Sequence, residues 1–556
     1  MTDVFNVISE RVDDVPLIIE VCKQLKLDEM VEKHLGTHGL QQGMHNGKLT
    51  VGWLSYIISK ADHRINSVRD WANKIPLTLA SLLGTPIRDV EFSDDRLCNL
   101  LDRFADDSAW EALEASLWRN VVEVYKLPVN TLRFDGTAAC GYHSITENGL
   151  MQFGASKDHR PDLPQLKIMA ASIDPGLVIG MDIASGEQND DVMYVPLIQR
   201  VHSMINSPGG LYLGDCKMGA INTRATIQSN GDYYLMPLGM VTEKIRNYFE
   251  EIVEEVVNGL QQAELIYNTD GEYIVAGYET NRVEEYLLDN KKISWKERLF
   301  VYRSKSFAEH EISMFEKQIR KTEEALYKLT PSPKPGRRQI VDEQKLQASI
   351  KVIMEKNQMQ GLLEVHYEKQ SNGKKDRYVI LDIVRNENKI TERKRRSGWR
   401  LMVTNATQES LSFSQAILTY RGEWRLENNF KLLKRSHLGI SPLFVRKDDR
   451  LKGLCRLLSI ALRLIALIQY RIRESLVESK EVINGLEKGK PNSITSEPTT
   501  LSILNRFVRE QITISIVALE DKRCYHMTPL NNELKKILQL LRIPLQLYEI
   551  AGYVPI

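Results

Sequence analysis

Three carboxylates, far apart in the chain, occupy positions where an acid has to be accounted for. Asp135 lies in VNTLRFDGTAACG beside Leu132 and Phe134, an alternating run bounded by Pro128 and Gly141 that reads as a strand. Burying a carboxylate there is unfavourable unless it meets a cation or another partner, so Asp135 either binds one or makes a turn contact at a solvated strand end. Asp215 closes GGLYLGDC, a second short apolar run ending in an acid just before a Gly-containing loop. Strand ends are where sites assemble in open sheets. Glu427 belongs to YRGEWRLENNFKLLK at 420–434, where Tyr420, Glu423, Glu427 and Lys434 recur at helical spacing and point broadly to one side. The same spacing also suits a solvated, salt-bridged helix face.

The elements that must position these acids follow from hydrophobic period. VPLIIEVCKQLKL, LTVGWLSYIISK, SVRDWANKI and SAWEALEASLWRNVVEVYKL space apolar residues three and four apart, predicting a helical amino-terminal domain over 1–125. From 126 to 240 the period changes. VNTLRFDGTAACG, LKIMAASID and LVIGMDIAS read as three strands, the last two a hairpin about Asp174-Pro175-Gly176; then come a helix begun by Asn189, Asp190 and Asp191, the strand of Asp215, a helix and the strand DYYLMPL. Residues 241–400 are mixed and read as an insertion. Ile312, Phe315, Ile319, Leu326 and Leu329 form a heptad-like stripe, TPSPKPGRRQ is a connector, and LLEVHYEKQSNGKKDRYVILDIV is a strand pair about Asn372-Gly373. Residues 401–475 hold the Glu427 helix and a second long helix, and 476–556 read as a loop-rich stretch followed by short helices.

With 556 residues the chain exceeds the roughly 250–300 at which single cores stop growing, so several domains are expected. Its 74 Lys and Arg against 73 Asp and Glu leave a net charge of +1, so composition alone names no anionic partner. Cys22, Cys98, Cys140, Cys216, Cys455 and Cys524 contain no C-x-x-C pair, which argues against a zinc knuckle and a disulfide framework and for a reduced cytoplasmic chain; Cys216 is expected to serve packing. MTDVFNVISERVDD lacks the basic and apolar regions of a signal peptide. The apolar run LLSIALRLIALIQY contains Arg463 and falls short of the roughly 20 residues that span a bilayer, so a buried helix is expected and no membrane partner.

RFDGT around Asp135, FGASKDHRPDLPQLKI at 153–168, LYLGDCKMG around Asp215, YRGEWRLENNFKLLK around Glu427 and FVRKDDRLKG at 444–453 together resemble the DDE transposases of bacterial insertion sequences, in the branch with a Y-x2-R-x3-E-x6-K signature and a large insertion before the last acid. The resemblance implies an α/β fold with an RNase H-like catalytic core, a mixed sheet with flanking helices, and a triad of Asp135, Asp215 and Glu427. The chain departs from the signature at Glu423, where Arg is expected; Arg421 and Arg425 flank it, and Lys434 matches its place.

Cutting and rejoining a phosphodiester needs an activated water or 3′-hydroxyl and stabilisation of the leaving oxygen, which two divalent ions about 3.5–4 Å apart provide. Mg²⁺ or Mn²⁺ takes hard oxygen ligands, so carboxylates suffice. On the resemblance, Asp135 bridges both ions, Asp215 holds one and Glu427 the other, while Tyr420 and Lys434 contact DNA near the cleaved phosphate. Arg421, Arg425, Lys431, Arg435, Lys157 and Arg160 are further candidate DNA contacts, and KITERKRRSGWR with Arg446, Lys447, Arg450, Lys452, Arg456 and Arg463 adds basic character around the last acid. His159 reads as a phosphate contact or a structural residue, and Trp399 and Trp424 as stacking platforms or core. The expected protein is a homodimer in its working complex that binds terminal inverted repeats and target DNA in the bacterial cytosol or nucleoid. The rival readings are a transposase-derived DNA-binding protein that no longer cuts, for which Glu423 is the argument, and a simple structure-specific nuclease.

Overall fold

The computed structural model describes residues 6–550 apart from 175, 241, 269, 333–338, 372–375, 488, 491, 520 and 521, and apart from the side chains of 423–425, 435, 436, 517–519, 522–524, 549 and 550. The chain divides into two compact units, the first formed by 1–234, 286–293 and 418–556, the second by 235–285 and 294–417.

The first unit opens on β1 (Asn6–Arg11) and continues through α1 (Val15–Gln24), α2 (Leu27–Leu35), α3 (Asn46–Lys60), α4 (Val68–Ala72), α5 (Pro76–Leu83), α6 (Asp94–Phe104) and α7 (Asp107–Tyr125). The front is therefore not helical from its start. β1 pairs antiparallel with the strand Thr513–Leu519, which in turn pairs with Lys522–Met527, so the closing stretch is not purely helical either. TISI alternates as a strand should, but its partner is some five hundred residues away and invisible to any local window. Glu10 of β1 is buried and accepts the N–H groups of Leu77 and Thr78, two otherwise orphaned donors at the start of α5.

β2 (Thr131–Cys140), β3 (Gln165–Ile173), β4 (Leu177–Ser185), α8 (Asp191–Ile205), β5 (Leu211–Leu213), α9 (Ile221–Ser229) and β6 (Tyr233–Pro237) follow in the expected order of strands and helices. β3 runs antiparallel to both β2 and β4, β5 runs parallel to β2, and the order β4-β3-β2-β5-β6 is that of an RNase H-like sheet. Gly176, at φ +103°, makes the tight β3–β4 turn; Pro175 lies outside the described residues. β3 is buried along its length because strands cover both its edges and helices cover the sheet.

In the second unit β12 (Trp399–Thr404) lies between β6 and β9 (Lys291–Ser304), with β8 (Tyr273–Leu288) and β7 (Glu264–Tyr267) beyond. Its helices are α10 (Glu243–Val257), α11 (Lys305–Tyr327), α12 (Glu343–Lys356) and α13 (Glu387–Arg396). The expected strand pair is present as β10 (Leu363–Ser371) and β11 (Asp376–Arg385), its Asn372-Gly373 turn outside the described residues, as is most of the TPSPKPGRRQ connector. Phe315, Ile319 and Leu326 of the heptad-like stripe close a separate core with Leu346, Met354, Ile380, Ile383 and Ile390.

The stretch 420–434 is not one helix. α14 (Phe413–Tyr420) gives way to a 3-10 turn at Arg421–Glu423, then α15 (Trp424–Lys431), then a π-helical turn at Leu432–Ser436. Gly422 explains the first break: a Cβ there would stand 2.7 Å from a guanidinium nitrogen of Arg133, so the backbone is pressed against β2. The long helix α16 (Asp448–Ser479) starts later than the sequence suggests, and its apolar run is buried as expected. Among the described residues no helix is long and apolar enough to cross a membrane.

Candidate active site

β2 contains Asp135, and β5 leads into Asp215. Their parallel register pairs Thr131 with Leu211, Leu132 with Tyr212 and Arg133 with Leu213. Asp135 and Asp215 each follow the last registered pair, Arg133 with Leu213, by two residues, Asp215 lying just past the end of β5. Tyr194 of α8 reaches in beside Asp215. Its hydroxyl donates to Asp215 Oδ1 at 2.8 Å, and burial, followed by the charges of Asp215 and Asp135, holds its phenol far above the ordinary tyrosine range. Asp215 also accepts the Lys217 N–H at 2.9 Å, an Asx-type turn that fixes the start of the loop.

Alternation puts Asp135 on the same face of β2 as Arg133. Arg133 is buried, pairs with Asp174 at 2.9 Å and donates to the Thr419 carbonyl at 2.9 Å, so it holds the end of α14 over that face. α15 packs against β2, and Asn429 donates to the Gly176 carbonyl at 2.7 Å. Glu427 is thus carried on a segment anchored to the strand of Asp135, and it is exposed there. Among the described residues no group of three His, Cys, Asp or Glu side chains is placed to hold a metal ion.

SKDHRPD at 156–162 is a clamp around this arrangement. Lys157 donates to the carbonyl of Gly136, the residue after Asp135, and Asp158 receives Lys434 at 2.7 Å, tying the π turn to the loop. Lys434 is therefore engaged within the protein. His159 is exposed at a positive φ of 56°, where it turns the loop, and Arg160 pairs with Asp162. Asp190 was legible as a helix-start residue, yet its carboxylate caps nothing: it is buried and receives Lys167 at 2.7 Å and Lys217 at 2.8 Å, with Lys157 at 3.4 Å. Burial opposes its ionisation, and the two hydrogen bonds with the charge of Lys157 outweigh it, so the carboxyl lies well below the usual range. The hydrogen bond to Asp190 in turn raises the pKa of Lys217. Sequence reasoning missed Tyr194, Arg133 and Lys217; the only available signal was the nearness of Lys217 to Asp215.

Much of the basic character read as polyanion-binding is spent inside the fold. Arg450 pairs with Asp102, Lys452 and Arg456 with Asp107, and Arg463 with Glu114, all on α6, on α7 or beside them. In the second unit Lys394 pairs with Glu316, Arg396 faces Glu250, Glu254 and Glu392, and the Trp399 indole donates to the Arg395 carbonyl. Acids spaced along neighbouring helices neutralise these cations, which a count of Lys and Arg along the sequence does not reveal. Arg421 and Lys431 are exposed, Tyr420 is half-buried, and the side chains of Glu423, Trp424, Arg425 and Arg435 lie outside the described residues. Cys216, expected to pack, is exposed.

The family model described as "Transposase DDE domain" matches residues 152–464, which include Asp215 and Glu427 and begin after Asp135. Among solved structures, a piggyBac transposase in a synaptic complex with hairpin DNA aligns over 95% of this chain and 85% of its own, at 10% identity and a TM-score of 0.36. No curated protein matches the chain in sequence.

Proposed function

From the premise that this chain belongs to the transposase DDE domain family, we propose that it is an insertion-sequence transposase that binds the terminal inverted repeats of its element, cleaves phosphodiesters at the ends and joins the freed 3′-hydroxyls to target DNA. What supports the reading is that Asp135 and Asp215 each follow the last registered pair of the parallel strands β2 and β5 by two residues, with Tyr194 donating to Asp215.

The donor set fits a hard divalent cation. Both residues offer carboxylate oxygens, and Mg²⁺ is commonly held by one or two carboxylates together with substrate phosphate rather than by a closed protein cage. Asp135 and Asp215 would hold it, with Glu427 as third ligand, and the ions when bound activate the attacking oxygen and stabilise the leaving one. Tyr194 orients the Asp215 carboxylate, Arg133 keeps the Glu427 segment against β2, and Lys434 secures that segment to Asp158 rather than reaching outward. Arg421, Lys431, Lys157 and Arg160 are the proposed phosphate contacts, joined by Tyr420, Arg425 and Arg435. Joining two ends to one target calls for two copies.

The test incubates purified protein with a labelled duplex ending in the element's terminal repeat, with Mg²⁺ or EDTA, alongside Asp135→Ala and Glu427→Ala. Cleavage at the element boundary should require Mg²⁺ and vanish in both variants while binding persists. Tight binding without cleavage in either Mg²⁺ or Mn²⁺ would instead make the protein a transposase-derived DNA-binding protein.

A further inference from the structure

Asp190 gathers more positive charge than it can balance. Three ammonium groups, from Lys157, Lys167 and Lys217, meet one buried carboxylate, leaving two charges over. Each lysine arrives from a different element: Lys167 from β3, Lys157 from the clamp loop, Lys217 from the turn after β5. Lys167 is shut in, with 9% of its side chain accessible, whereas Lys157 and Lys217 keep 38% and 48%. The two accessible lysines are also those tied to the acid pair. Lys157 donates to the carbonyl of Gly136 and the Lys217 backbone N–H to Asp215. Asp215 adds its charge at Lys217, but a divalent cation held by Asp135 and Asp215 would draw that balance away, leaving the accessible lysines suited to a further anion beside the two acids. An ammonium carries three donors, and Lys217 uses one on Asp190, so it has donors to spare.

We propose that Lys217, with Lys157 beside it, grips a backbone phosphate of the DNA strand brought to Asp135 and Asp215, and that Asp190 is the positioning residue presenting both ammonium groups. The proposal rests on the reading of the two aspartates as the centre of a DNA-cutting site. The grip offsets repulsion between phosphodiester and carboxylates, and it holds the strand in register with them.

The experiment measures binding of a fluorescein-labelled duplex, made from the DNA that borders this coding sequence, as a function of salt for the wild type, Lys217→Gln and Asp190→Asn. Each lost phosphate contact lowers the slope of log affinity against log salt by about one. Lys217→Gln should bind more weakly with a slope shallower by about that amount. Asp190→Asn removes a negative charge, so charge counting alone predicts tighter binding; a positioning role predicts weaker binding and a shallower slope. Wild-type slope and affinity in Lys217→Gln, or tighter binding by Asp190→Asn, would overturn the inference while leaving the transposase reading intact. A wild type that does not bind the duplex at any salt would overturn that reading and the inference together. Should circular dichroism show that Asp190→Asn does not fold, Lys217→Gln, altered at a half-exposed side chain, decides the matter alone.

Discussion

Tyr194 reaches the aspartate pair from a different element, so it separates the orientation of a carboxylate from its presence. Its hydroxyl stays protonated and can therefore donate to Asp215 throughout the working pH range. Outer partners that orient metal-binding side chains typically account for about 10–100-fold in metal affinity. Tyr194→Phe should accordingly raise the Mg²⁺ concentration for half-maximal cleavage by about that factor while leaving the circular dichroism spectrum unchanged; an unaltered Mg²⁺ titration would remove Tyr194 from the site. At this scale the sequence singles out Asp135 and Asp215 as candidates, because an acid within or just after an apolar strand stands out locally. Tyr194, Arg133 and Asp190 could not be singled out, since a buried tyrosine, arginine or helix-start aspartate acquires its role only from what folding brings beside it.

At the scale of elements, charges that looked suited to DNA hold helices together. Arg463 of α16 is buried, pairs with Glu114 of α7 and donates to the Val178 and Ile179 carbonyls of β4, while Arg200 of α8 reaches the same glutamate. Glu114→Ala would leave two largely buried guanidinium groups without that partner, and a loss of about 3–5 kcal/mol is expected in urea denaturation. Gly453 lets α16 lie against α6, since a Cβ there would stand 2.2 Å from the Leu101 carbonyl oxygen. Gly453→Val should cost about 1–3 kcal/mol as the helices are forced apart. Two histidines join α3 and its C-terminal end to the chain beyond the π turn: His437 contacts the Ile58 carbonyl and His63 the Leu438 carbonyl. Burial lowers both pKa values below the ordinary 6.5, outweighing the hydrogen bonds to those carbonyls. A lowered histidine pKa means the unfolded chain takes up the proton first, so this contribution is whole above about pH 6.5 and is lost as pH falls below it. The melting temperature of His437→Gln should therefore fall less between pH 7.5 and 5.5 than that of the wild type. Helix periodicity was legible here, whereas the breaks at Gly422 and in the π turn were not, because they answer to Arg133 and Asp158 rather than to neighbours in sequence.

For the whole molecule, two compact units with separate cores predict two unfolding events. Leu346 is fully buried in the second unit's core and Leu458 in α16 of the first. Leu346→Ala should lower one denaturant transition by about 2–5 kcal/mol and Leu458→Ala the other, each leaving its counterpart in place; a single transition shifted by both would show one cooperative body. The succession of strands and helices along the chain was legible from a run of strong period changes, but the closure of β1 on Thr513–Leu519 was not, because it joins strands some five hundred residues apart. That closure fixes a timetable. A chain leaving the ribosome has all of 294–417 available to fold while 418–556, with Glu427, α16 and the partner of β1, is still unmade. The second unit can mature during synthesis, whereas the first must wait, holding β1 unpaired, until Thr513–Leu519 has been made.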